Sequence, residues 1–203
     1  MTAPPPEAAD LGLLIAAAVA LLSLATAIGI GLRRRAGDRP APVIDNLNAR
    51  IHAWWAMTAL LALAFLTGKA GVVILFALCS FAALREFMTI TDFRRADHWA
   101  VAASFFVVLP VQYLLVWADW YGLYSIFIPV YAFLLLPILA AFRGDPGNFL
   151  VRVAETQWGL MVCVYCVSHV PALLYLRIPE PGFEAGREAR SLLLIVFLVV
   201  VVQ

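Results

Sequence analysis

Long apolar runs separated by short polar segments dominate the chain. The runs cover residues 11–32, 51–68, 70–90, 99–118, 121–142 and 157–176, with a shorter run at 192–202. A membrane-spanning helix needs ~20 apolar residues, which each of the first six runs approaches. The pattern predicts an all-α, polytopic integral membrane bundle of about seven transmembrane helices, the last one truncated.

The polar segments divide the chain into three predicted parts. Residues 1–32 form an N-terminal anchor helix, 33–50 a cytoplasmic linker, and 51–203 a multispan membrane domain. The last run ends at Gln203 after only about half of a span, which would leave a terminal carboxylate inside the bilayer. We therefore expect the natural chain to continue beyond Gln203.

Composition excludes several classes of protein. Hydrophobic residues make up 64% of the 203 positions, against ~45–50% in a soluble globular chain. The formal net charge is +1, so the basic surface of a nucleic-acid-binding protein is missing. The partners expected from composition are therefore the lipid bilayer and not a nucleic acid.

The distribution of basic residues predicts the orientation. With the N-terminus outside, ten Lys and Arg residues fall in inner segments and four in outer segments. This agrees with the positive-inside rule and predicts an N-terminus on the outer side. The expected location is the bacterial inner (cytoplasmic) membrane. Tryptophans also fall near the predicted span borders, where aromatic belts form: Trp54, Trp55, Trp99, Trp117, Trp120 and Trp158.

Arg85 and Glu86 are the charged residues most deeply embedded in an apolar pattern, because Phe87, Met88 and Ile90 continue it beyond them. In one interpretation Arg85 binds an anionic headgroup while Glu86 orients it or holds a cation. In the other, the two residues form an interfacial pair, with Arg85 extending to the headgroups.

Other polar residues inside the runs favour structural roles. Gln112 is expected to form interhelical hydrogen bonds, and His169 to be a hydrogen-bonded packing residue. Cys163 and Cys166 form a C-x-x-C pattern without the further ligands of a zinc site. We expect no metal site in this chain.

Three segments resemble the phosphatidate cytidylyltransferase (CDP-diacylglycerol synthase) family. They are NLNARI at 46–51, leading into Trp54-Trp55, LREF at 84–87, and ETQWG at 155–159. In that family an Arg-hydrophobic pair opens the first core helix and a glutamate followed by an aromatic closes the second. Arg50-Ile51 and Glu86-Phe87 match those positions, and the resemblance covers residues 46–203.

The resemblance implies a nucleotidyltransferase of phospholipid biosynthesis that makes CDP-diacylglycerol and pyrophosphate from CTP and phosphatidate. It implies substrate contacts by Arg85, Glu86 and Arg50. It also implies Mg²⁺ or another divalent cation, bound mainly by the family's signature region downstream of Gln203, where the catalytic residues are expected. By this reading the 203-residue chain alone is inactive.

Two other functions fit the composition. A transporter or permease would predict internal repeats and ionisable residues at the bilayer midplane, and the sequence shows no repeat. A non-catalytic membrane subunit would not need the downstream signature. Homo-oligomerisation stays open at the level of sequence.

Overall fold

The structure of the protein, a computed structural model, describes residues 6–37, 41–91, 97–142 and 147–173. Within these ranges the chain forms six helices and no strands. The helices are α1 Pro6–Ala36, α2 Pro42–Leu66, α3 Lys69–Ile90, α4 His98–Trp117, α5 Tyr121–Ala141 and α6 Phe149–Leu173. The predicted all-α bundle is confirmed. The run 192–202, and with it the predicted seventh helix, lies outside the described residues.

The outer surface of the helices is apolar. All six are long and apolar enough to cross a membrane, α1 over Ile15–Ala36. Large side chains such as Phe106, Leu114 and Leu134 point outward and are exposed. Continuous apolar surface of this kind is rare on soluble monomers, and hydrocarbon is the solvent that suits it. The protein is an integral membrane protein.

Three helices begin well before their apolar runs, the first being α1, which starts at Pro6 and not at residue 11. α2 starts at Pro42 and not at residue 51, and α6 starts at Phe149 and not at residue 157. α1 also continues to Ala36, so residues 33–36 and 42–50 of the predicted linker are helical. The hydropathy pattern missed these turns because they carry polar residues, although proline suits a helix's first turn.

The six tryptophans fall into two groups, three near helix ends and three inside helices. Trp99, Trp117 and Trp120 lie at or beside helix ends, as predicted. The other three lie well inside their helices, because those helices begin earlier: Trp54 and Trp55 in α2, and Trp158 in α6. They mark the start of the apolar run rather than the start of the helix.

The chain divides into two compact units, Met1–Thr67 and Gly68–Gln203. The first contains α1 and α2, which we call the N-terminal hairpin. Within it the Trp55 indole N–H donates to Thr26 Oγ1 at 3.0 Å. Gly29 packs against the side-chain amide of Asn48, where an added Cβ would clash. These contacts hold α1 against α2.

The second unit contains α3–α6, which we call the core bundle. α3 packs against Leu109–Trp117 of α4 and along α6, while His98–Ala103 of α4 packs against Phe133–Ala141 of α5. The largest fully buried apolar side chains at their centre are Leu84, Ile128, Leu136, Leu160, Val72, Val108, Val116 and Val164. Every helix of the bundle therefore contributes to one core.

Three helices of the bundle contain wider, π-helical turns. These are Ser104–Val108 in α4, Phe127–Ala132 in α5 and Met161–Cys166 in α6. A proline lies within or a few residues after each: Pro110, Pro129 and Pro171. Because proline cannot donate a backbone hydrogen bond, local π adjustments are one way that membrane helices accommodate it.

Gly159 of α6 leaves room for the side chain of Phe87 on α3. An ideal Cβ at Gly159 would lie 2.8 Å from Cδ1 and 2.9 Å from Cε1 of Phe87, with Leu84 Cδ1 at 3.5 Å. The ring of Phe87 therefore occupies the space that any larger side chain at this position would need.

We expect Gly159→Val to lower the free energy of unfolding by about 1–3 kcal/mol, because overpacking forces the Phe87 ring or the helices apart. Gly122→Val is the matched control, since nothing lies within 4 Å of an added Cβ there. Thermal unfolding of both variants in detergent measures the difference. Equal losses in the two variants would contradict the close packing.

Candidate functional site

Most of the charged side chains that the structure describes in the core bundle lie at one of its ends. The end of α3 connects to the start of α4 through residues 91–97, and the end of α5 connects to the start of α6 through 142–148. Both connections are short, so these four helix ends share one side of the bundle. Among the residues that the structure describes, the charged ones placed there are Arg85, Glu86, Asp97, Arg152 and Glu155. We call this side the charged end.

Arg85 and Glu86 lie in the last turns of α3 and are both exposed. The neighbouring Leu84 and Met88 are buried and face the core. Arg85 and Glu86 therefore lie on the part of the α3 surface that faces away from the core. Within the described part of the chain neither charged side chain forms an ion pair. Both side chains are thus accessible from outside the core bundle. Their role in substrate binding stays a prediction.

Arg50, the third residue implied by the resemblance, lies on α2 in the N-terminal hairpin and is exposed. It belongs to the other compact unit, so the geometry of the charged end neither includes nor uses it. Its substrate contact also stays a prediction.

Two segments that carried the resemblance meet inside the core bundle. LREF at 84–87 and ETQWG at 155–159 come together where Phe87 packs on Gly159. The amide of Gln157 in the same segment donates to the backbone carbonyl of Phe133 on α5 at 2.8 Å. These motif residues therefore set how α3, α5 and α6 fit together beside the charged pair.

The sequence reasoning missed a buried ion pair at the charged end. Arg152 Nε lies 3.0 Å from Oδ1 and 2.9 Å from Oδ2 of Asp97, and the two side chains are only 4% and 3% exposed. Arg152 also donates through Nη1 to the backbone carbonyl of Gly147. The pair joins the start of α4 to the start of α6.

The hydropathy pattern places both members in polar segments between apolar runs, Asp97 between 90 and 99 and Arg152 between 142 and 157. The available signal was the setting of Arg152, which follows Phe149, Leu150 and Val151 at the start of a helix. An arginine in the first turn of an apolar helix must reach water or an internal carboxylate. Sequence alone does not identify Asp97, 55 residues away, as that carboxylate.

A second group of buried polar residues lies deeper in the core bundle. Gln112 Nε2 donates to the carbonyl of Tyr124 and to Ser168 Oγ, each at 3.0 Å, which confirms the predicted interhelical role. His169 Nδ1 lies 2.7 Å from the carbonyl of Tyr165, and its ring packs on Tyr165 and Tyr124. His169 is a packing residue, as expected.

The described residues do not bring together a set of cation ligands. Among them, no group of three or more His, Cys, Asp or Glu side chains is placed to hold a metal ion. The buried carboxylate that the structure describes at the charged end, that of Asp97, faces a guanidinium instead. The arrangement at this end can offer Arg85 to a phosphate while Asp97 and Arg152 hold the helices in place.

We expect Asp97→Asn and Arg152→Gln each to lower the free energy of unfolding by about 3–5 kcal/mol, because each leaves a buried charge without its partner. The double variant should lose less than the sum, as expected for groups in contact. Chemical unfolding in detergent micelles gives the comparison.

The matched control is Arg33→Gln, which breaks the exposed Arg33–Asp45 pair at 3.6 Å in the N-terminal hairpin. Exposed pairs contribute about 0–1 kcal/mol, so this change should be small. Strictly additive losses for Asp97 and Arg152 would show that the pair does not act as a unit.

Comparison with known proteins identifies the family of this chain. The model of the cytidylyltransferase family matches residues 48–203, which include all of α3–α6. An uncharacterized protein, YnbB, from Escherichia coli (strain K12) is 30% identical over 191 residues, covering 93% of this chain and 58% of its own length. The chain thus spans a little over half the length of that relative. No solved structure matches. The chain, with the core bundle and its charged end, belongs to the cytidylyltransferase family.

Proposed function

We propose that the protein takes part in making CDP-diacylglycerol from CTP and phosphatidate in the cytoplasmic membrane. The observation that carries the proposal is the family match over 48–203, which covers the whole described core bundle. The membrane location of that bundle favours a lipid phosphate as the acceptor of the cytidylyl group. Phosphatidate is the acceptor that the sequence resemblance implies.

The proposed reaction is one substitution at phosphorus. A phosphate oxygen of phosphatidate attacks the α-phosphorus of CTP and forms the new P–O–P bond. The bond between the α- and β-phosphates breaks, and pyrophosphate leaves with its electron pair. Both substrates are polyanions, so the reaction needs cationic groups that offset the charge and hold the phosphates in line.

In this proposal Arg85 binds the phosphate of the lipid. It is exposed two turns before the end of α3, where the helix approaches the bilayer surface. A guanidinium can donate two parallel hydrogen bonds to a phosphate. Glu86, on the next position, orients the arginine or the substrate from the same exposed side of the charged end.

A divalent cation, Mg²⁺ or another, is also part of the proposal, since it would neutralise charge on the transferring phosphorus. The described residues provide no ligand cluster for it. No step assigned here to Arg85 or Glu86 depends on a bound cation.

We expect Arg85→Ala and Glu86→Gln each to lower turnover by about tenfold or more, the effect of losing one charge-assisted hydrogen bond. The assay uses protein expressed from the complete reading frame, with labelled CTP, phosphatidate and Mg²⁺. It measures CDP-diacylglycerol and pyrophosphate, which should form in a 1:1 ratio.

Arg35→Ala serves as the control, because this exposed arginine on α1 lies outside the family match. Normal turnover by both Arg85→Ala and Glu86→Gln at normal protein levels would show that the pair does not bind substrate and is only an interfacial pair. Product formation with another lipid phosphate but none with phosphatidate would reject the proposed substrate while keeping the reaction type.

The proposal places the charged end in the cytoplasm and the N-terminus outside. We expect Ala118→Cys, between α4 and α5, to react with a membrane-impermeant maleimide in intact cells. Ala41→Cys, just before α2, should react only after the cells are permeabilised. Cys79, Cys163 and Cys166 are first replaced by alanine. The reverse labelling pattern would overturn this orientation.

A further inference from the structure

The N-terminal hairpin contains a cleft between α1 and α2, lined by both polar and apolar side chains. Its volume is about 550 Å³. Arg33 and Arg34 from the last turns of α1 line it together with Asn48 and His52 of α2, above Ile30 and Ile51. All of these residues belong to the same compact unit.

The cleft exists because the two helices are held close at one level. Gly29 lets the Asn48 amide lie against the α1 backbone, and Ile51 is buried beside it. One turn earlier on α1, Thr26 accepts the hydrogen bond from Trp55. These contacts fix the floor of the cleft, while the arginines stand at its rim.

The groups that line the cleft favour an anion. Two guanidinium groups, an imidazole and an amide face it, and its described lining contains no carboxylate. Asp45 lies 3.6 Å from Arg33 in an exposed ion pair and offsets part of its charge, so Arg34 contributes most to the basic character of the cleft. Guanidinium groups match the geometry of a phosphate.

The depth of the cleft favours a phosphate attached to a lipid. The apolar segment Ile15–Ala36 of α1 is long enough to cross the hydrocarbon, and Arg33 and Arg34 lie within one turn of its end. That level is where phospholipid headgroups lie, on whichever side of the membrane the helix ends. Ile30 and Ile51 below supply an apolar wall for the glycerol and the start of an acyl chain.

We propose that this cleft binds the headgroup phosphate of an anionic phospholipid. The arginines of the cleft, on α1, precede the residues matched by the family model, and the proposed reaction assigns no role to any residue that lines the cleft. Basic residues beside a membrane helix attract anionic lipids in general. The cleft brings several hydrogen-bond donors together at one place, so it would bind one lipid molecule specifically in addition to this diffuse attraction.

The test titrates phosphatidylglycerol into the purified full chain and counts bound lipids by native mass spectrometry, with phosphatidylcholine as the neutral reference. Phosphatidylglycerol is not a substrate of the proposed reaction, so the two proposals fail separately. We expect the unmodified chain to bind the first phosphatidylglycerol at least about tenfold more tightly than phosphatidylcholine. Arg34→Gln should lose about tenfold in that affinity.

Arg35→Gln is the matched control, because it removes the same charge from the next residue of the same helix, which does not line the cleft. A second pair of variants, Asn48→Ala and its exposed neighbour Asn46→Ala, tests the cleft without changing charge. Asn48→Ala should weaken binding and Asn46→Ala should not. Thermal unfolding checks that each variant is folded.

Three results would overturn the proposal. Equal losses in Arg34→Gln and Arg35→Gln would show attraction by net charge alone. Equal affinity of the unmodified chain for the two lipids would show that no anionic site exists. Displacement of phosphatidylglycerol by low-millimolar inorganic phosphate would assign the cleft to a soluble anion rather than to a lipid.

Discussion

The charged end of the core bundle depends on the ion pair between Asp97 and Arg152. Either residue alone would be a charge removed from water at the edge of a hydrocarbon layer, a cost of several kcal/mol. Together they lie 2.9 Å apart with almost no exposure, and Arg152 gains a further acceptor in the carbonyl of Gly147. The pair is stable only while the starts of α4 and α6 stay together, so it fixes that geometry.

The cost of removing a polar group from water also divides the other polar residues of the core bundle into two groups. Gln112 and Ser168 are fully buried and hydrogen-bonded to neighbouring helices, so they support the packing. Arg85 and Glu86 are exposed at the surface of the bundle, where desolvation by the protein is small. Hydrogen bonds buried inside a membrane protein link helices, whereas exposed charges at the headgroup level remain available to ligands.

The spans could be predicted from sequence because hydrocarbon imposes a simple requirement on length and composition. Five of the six described helices end within a few residues of the end of their apolar run, and the starts of α3, α4 and α5 agree equally well. The early starts of α2 and α6 could not be read this way, since their first turns carry polar residues. A hydropathy pattern shows which part of a helix lies in hydrocarbon. It does not show at which residue the hydrogen-bonded helix begins.

The pairings within the site could not be predicted, because they join residues far apart in sequence. Asp97 and Arg152 are 55 positions apart, and nothing local to either residue identifies the other. The contact of Phe87 with Gly159 has the same character, although both residues stood in segments that carried the family resemblance. Resemblance located these segments, whereas only the structure shows that one packs on the other.

That contact connects packing to the proposed chemistry. In a helix successive residues are about 100° apart, so the direction of Phe87 sets the directions of Glu86 and Arg85. Phe87 fits only because Gly159 leaves room for its ring, which turns this face of α3 toward α6 and leaves the charged pair outside. A motif that ends in a glutamate followed by an aromatic thus has two physical parts. The aromatic residue fixes the rotation of the helix, and that rotation leaves the charges exposed on the outside of the core bundle.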